Sequence, residues 1–136
     1  MKDLTTSKGL ILVSATRTKK LVDLLTELER RSEIRASAIV SKEGLMMASE
    51  LPKDIDEDAI SAMSAGMLSL GTRVGSILKC GEVEQVIIKG KEGVTVTVDA
   101  GPEAVLIAIA PADAKLGMIF FDIKMTVDGV KEILAP

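Results

Sequence analysis

AISAMSAGMLSLGTRVGSIL, residues 59–78, is the stretch on which the fold turns. Its large apolar residues Ile60, Met63, Met67, Leu70, Val74 and Ile77 recur three or four apart, the spacing of one helical face. A surface helix of a lone domain carries charge opposite such a face, yet these residues hold a single charge, Arg73. The rest of the circumference is alanine, glycine, serine and threonine. At roughly 100° per residue, Ala62, Gly66, Ser69 and Arg73 share a face beside the large apolar one. Small residues let another backbone come close. The expectation is a helix buried twice, its large apolar face on its own sheet and its small face against another subunit or protein. A membrane span does not fit, because five serines and threonines, three glycines and Arg73 dilute the segment.

A chain of 136 residues is long enough for one domain with a real core. Aromatic residues make up 1% and Trp, Tyr and His are absent, so that core is aliphatic and methionine. A net charge of −3 without a basic cluster, and so little to stack on bases, argues against nucleic acid as a partner. One cysteine, Cys80, makes no internal disulfide, and the N-terminus shows no cleavable apolar segment. The expected location is the cytoplasm.

Outward from the central stretch, the elements follow from periodicity. Residues 1–15 form an N-terminal extension whose GLILV run suits a strand, an arm that pairs with another sheet, or a lead outside the domain. Residues 16–136 form the domain. From about Thr16, Leu21, Leu24, Leu25 and Leu28 make an amphipathic stripe. Residues 36–41 and 45–49 flank Lys42-Glu43-Gly44 as a β-hairpin. Asp54 and Glu57 are spaced to cap the central helix, with Asp56 and Asp58 favouring its positive end, and Gly81 suits its left-handed stop. Residues 84–89, 94–100 and 104–110 give three strands on short loops, hence antiparallel neighbours. The last is apolar on both faces and belongs in the centre, whereas 84–89 suits an edge. After Pro111, Asp113 is placed to cap a helix carrying Leu116, Ile119, Phe120, Ile123, Val127, Val130 and Leu134. The fold class is α+β, an α/β sandwich of order α-β-β-α-β-β-β-α. A five-stranded antiparallel sheet has the one long central helix on one face and two helices on the other.

Chemistry is harder to place. There is no histidine for acid–base work, no base to activate Cys80 or the helical serines, and no Cys/His metal spacing. Asp99 reads as a turn former before Gly101-Pro102. Gly66 and Gly71 have the separation of a phosphate-binding loop, but Thr72-Arg73 follows where lysine is required. The chain is expected to be no enzyme and to hold no cofactor or metal.

The hairpin IVSKEGLMMAS, the central helix, the paired strands EQVIIKGKEGVTVTVDAG and the AVLIAIAPADAKLGMIFFDI passage together resemble the roadblock family named for dynein light chains. The resemblance spans residues 16–134 as a pattern across elements. It implies a homodimer in which the third strands join into one sheet through Val86, Ile87 and Ile88, with Ala62 and Gly66 between the central helices. It also implies a partner, a small Ras-like GTPase of the kind prokaryotic relatives act beside, met by Ser69 and Arg73. The leading expectation is a non-catalytic homodimeric regulator of such a GTPase. The alternatives are a dimerising scaffold or adaptor in a larger motor or trafficking assembly, and a small-ligand sensor.

Overall fold

The computed structural model describes the backbone of residues 2–136 and the side chains from residue 15 onward. In chain order the elements are α1 (Lys2–Arg31), β1 (Ala36–Ser41), β2 (Met46–Glu50), α2 (Glu57–Ile77), β3 (Gln85–Lys89), β4 (Gly93–Asp99), β5 (Ala104–Pro111) and α3 (Leu116–Leu134). The helix anticipated from about Thr16 is thus the later part of α1. The packing of the GLILV run and of the rest of the 1–15 extension lies outside the described residues.

The five strands form one antiparallel sheet in the order β2-β1-β5-β4-β3. β5 is central, as its run of apolar residues requires, and Val105, Leu106, Ile107 and Ala108 are buried on alternating faces. β3 is an edge. One face is covered by α1 and α3, whose Leu21, Leu25, Leu28, Ile119, Ile123, Val127 and Val130 make the main core with Ile39, Val94, Val96 and Leu106. Among the described residues, the other face is covered by α2. Its seat is thin: Leu68 packs with Val40 and Val105, and Ser61, Ser64 and Thr97 are buried with them.

Three terminal details differ from the spacing argument. The N-cap of α2 is Asp56, not Asp54, and its Oδ1 accepts the Ala59 N–H at 3.1 Å. Asp54 is excluded by a turn before the helix, where the Ile55 N–H donates to the Pro52 carbonyl. At the other end the helix stops at a left-handed Lys79 (φ 59°), and Gly81, also left-handed (φ 84°), follows two residues later. There the Cys80 N–H donates to the Gly75 carbonyl at 2.8 Å and the Lys79 N–H to the Ser76 carbonyl at 3.2 Å, the paired bonds of a Schellman ending. α3 starts after Lys115, which makes no side-chain cap bond, because Asp113 is spent in the turn that closes with the Ala114 N–H on the Pro111 carbonyl. Asp99 does form a turn, its Oδ1 accepting the Gly101 N–H at 3.0 Å and pairing with Lys42 Nζ at 2.9 Å.

Candidate self-association interface

The largest correction concerns which way α2 faces. Its buried residues are Ser61, Ser64, Ala65, Leu68 and Gly75, so the small and polar side lies on the sheet. The large apolar residues point out: Met63 is 61% exposed, Leu70 61%, Val74 47% and Ile77 78%. The reason is steric. A Cβ on Gly71 would stand 2.6 Å from Val86 Cγ2, and one on Gly75 would run into Val83 Cγ2, so both glycines let the chain at and before β3 press against the helix. Leucine or methionine at those positions would hold α2 off the strand. Gly71 and Gly75 thus admit side chains of the chain's own Val86 and Val83, whereas the small face expected to meet another subunit, Ala62, Gly66, Ser69 and Arg73, is exposed.

An open apolar groove of about 600 Å³ lies between the outward side of α2 and β3, lined by Met67, Leu70 and Val74 on the helix and by Val83, Gln85 and Val86 on the other side. β3 continues the apolar surface. Val86 is half-buried under Gly71, whereas Ile87 is 41% and Ile88 51% exposed. Register with β4 puts Ile87 beside Val96, on the α1/α3 face, and Val86 and Ile88 beside Thr97 and Thr95, on the α2 face. The strand therefore shows apolar side chains on both faces and no neighbour beyond its edge among the described residues.

The helix residues singled out from the sequence are exposed: Ala62, Gly66, Ser69 and Arg73. Gly66 has no atom within 4 Å of where a Cβ would stand. Ala62 lies on the flank nearer the β1–β2 hairpin, its Cα 3.2 Å from a Cβ built on Gly44, and Ser69 and Arg73 follow on that side, away from the groove. The structure thus gathers Val86 with Met67, Leu70 and Val74, and leaves Ser69 and Arg73 outside that groove. The methionine–leucine stripe was visible in the sequence but assigned inward. The glycine pair at positions 71 and 75 was the signal against that assignment. Cys80 is exposed at the end of the same groove.

The Roadblock/LC7 domain pattern matches residues 20–110, from the middle of α1 to the end of β5. The chain belongs to the Roadblock/LC7 family. An uncharacterized protein of Methanocaldococcus jannaschii, MJ0310, is 34% identical to this roadblock chain over 108 residues, 79% of this chain and 94% of its own. Among solved structures, a Roadblock/LC7 domain from Streptomyces avermitilis is similar with a TM-score of 0.78 at 24% identity, covering 85% of this chain and 98% of that one. MglB of Myxococcus xanthus is similar with a TM-score of 0.79 at 19% identity, covering 85% and 88%. At those identities the two structures establish a shared fold. No helix among the described residues of the roadblock chain is long and apolar enough to cross a membrane.

Proposed function

We propose that this chain is a non-catalytic, cytoplasmic homodimer that binds and regulates a small Ras-like GTPase. The observation that carries the reading is an amphipathic helix turned inside out beside an unpaired apolar edge strand. Water is a poor neighbour for Met63, Leu70, Val74 and Ile77 together, and contiguous exposed apolar surface of this kind marks an interaction site. In the dimer, Val86, Ile87 and Ile88 pair across the edge, and Met63, Met67, Leu70 and Val74 of each α2 close over the groove, with Ala62 and Gly66 at the margin. Ser69 and Arg73 stay open on the far flank of both helices, where the GTPase docks.

Regulation of that partner requires contacts that differ between its nucleotide states, since equal affinity for both shifts nothing. Family membership and the resemblance to prokaryotic roadblock proteins support the choice of a GTPase. The test is direct: Ras-like GTPases of the same host are loaded with GDP or a non-hydrolysable GTP analogue, and binding and turnover are measured with and without the roadblock protein. Preferential binding of one state with a changed hydrolysis rate supports regulation. No binding in either state removes the GTPase from the proposal. A second reading, a dimerising adaptor that leaves turnover unchanged, is favoured by one observation: α3 also exposes Met118, Phe121 and Met125, an apolar stripe on the opposite side of the sheet from α2.

A further inference from the structure

A second cavity, of about 740 Å³, opens on the α1/α3 side of the sheet, where the turns at one end of the strands meet α3. Its floor is apolar, made by half-buried Val98 and Phe120 and by buried Ile123 and Val127. Its walls are charged and opposed. The connection from α2 to β3 brings Glu82 and Glu84, and α3 brings Lys124 and Lys131 with Asp128 between them. Seven residues of helix set the two lysines on one side of α3, about 10 Å apart, and Asp128 lowers the positive charge of that wall without cancelling it. Lys42 also lines the cavity but is held by Asp99 at 2.9 Å. Glu82, Glu84, Lys124 and Lys131, by contrast, have no ion-pair partner among the described residues. An acidic and a basic wall are thus kept apart over an apolar floor.

We propose that this cavity binds a short apolar peptide with both termini free, its ammonium at Glu82 and Glu84 and its carboxylate at Lys124 and Lys131. The walls ask for both signs: a plain carboxylic acid brings nothing to the acidic side, and a plain amine nothing to the basic side. A free amino acid bears both charges on one carbon and fills little of such a volume. An extended dipeptide or tripeptide sets them roughly 7–10 Å apart, with apolar side chains between them for the floor, and the cavity is of the size that buries a ligand of that class. Glu82, Val83, Glu84 and Gln85 also line the groove between α2 and β3, and Val83 stands against Gly75 of that helix. The segment is a partition between the two hollows. Fixing it from the α3 side orders the start of β3 and the surface offered to a second copy, so the peptide strengthens self-association, and the dimer binds the peptide more tightly in return. This last step rests on the homodimer reading above.

A leucyl-leucine dipeptide is titrated into the full chain by calorimetry, beside its N-acetyl form, its C-terminal amide and free leucine. Saturable binding of the dipeptide is expected, with each cap weakening it about fivefold. The telling readout is the match of cap to wall. Lys124→Gln with Lys131→Gln should bind the dipeptide and its amide alike while still discriminating against the acetyl form, and Glu82→Gln with Glu84→Gln should do the reverse. All four side chains are exposed, so both variants keep the fold, which circular dichroism checks. No saturable binding up to about 10 mM, or the same response to both caps in both variants, overturns the proposal. Free leucine binding as tightly as the dipeptide overturns the peptide as the ligand. Sedimentation at fixed protomer concentration, repeated with saturating dipeptide, should show a larger dimer fraction. A dimer unmoved by bound dipeptide sinks the coupling alone, and a monomer that still binds it sinks the homodimer reading while leaving the site standing.

Discussion

The closeness of α2 to β3 makes a quantitative test of how this helix is seated. In Gly71→Ala the new Cβ would lie 2.6 Å from Val86 Cγ2, against roughly 3.4–4 Å for an ordinary contact, so helix and strand must part by about 1 Å. Overpacking of this kind costs about 1–3 kcal/mol. Alanine for glycine inside a helix returns about 1 kcal/mol, which leaves a net loss of about 1 kcal/mol. Gly66→Ala calibrates the favourable part alone, since nothing lies within 4 Å of its Cβ, and it should stabilise by about 1 kcal/mol. Val86→Ala removes the obstructing methyl group. In that background Gly71→Ala should change from destabilising to stabilising, a coupling of about 1–3 kcal/mol in a double-mutant cycle. Urea denaturation of the four proteins at one fixed protomer concentration measures it. Additive effects, or a Gly71→Ala protein as stable as Gly66→Ala, would refute the claim that these glycines decide which side of α2 meets the sheet.

Other outcomes test separate parts of the structure. Leu70→Glu should leave the protomer folded, because the side chain is 61% exposed, yet remove roughly 1–2 kcal/mol of burial per protomer from the interface and set a charge in it. Sedimentation velocity should then show monomer at concentrations where the parent is a dimer. Lys115→Asp supplies the missing acceptor at the start of α3 and should stabilise by about 1 kcal/mol, read as a higher melting temperature. Glu29 is held above the ordinary carboxylate range, first by burial and then by the nearby Glu50 charge, while the Ser37 hydroxyl, donating at 2.5 Å, pulls the other way. A carboxyl raised on folding favours the folded state fully at low pH, and that contribution is lost as pH rises through its folded value. Glu29→Gln should therefore be more stable than the parent at neutral pH, with the advantage vanishing below about pH 4, measured as denaturation midpoint against pH.

Much of this architecture could be read from residue order. The Val94, Val96 and Val98 alternation, the doubly apolar β5 and the short loops dictate antiparallel neighbours with β5 central and β3 at the edge, and the leucine stripe of α1 and the isoleucine stripe of α3 mark one shared core. The caps were legible only to within two residues, because Asp54, Asp56 and Asp113 are chemically alike and local turns choose among them. The orientation of α2 was not legible from hydropathy. The large apolar residues of α2 stand away from a small, largely polar face that meets the sheet, and side-chain size alone does not say which face is buried. The stacking of Gly71 and Gly75 against Val86 and Val83, a contact across the turn that joins α2 to β3, breaks the tie. Ala62 and Gly66 are exposed as well, on the flank beside the outward face of Met63, Leu70 and Val74.

The thin seat of α2, with Ser61, Ser64 and Thr97 among so few aliphatic groups, reaches beyond the shape of one protomer. In the proposed homodimer, a newly made chain whose apolar helix face looks outward is stabilised by meeting its twin. How durable the protein is inside a cell then depends on how many copies that cell keeps, so scarcity alone would act as an off switch.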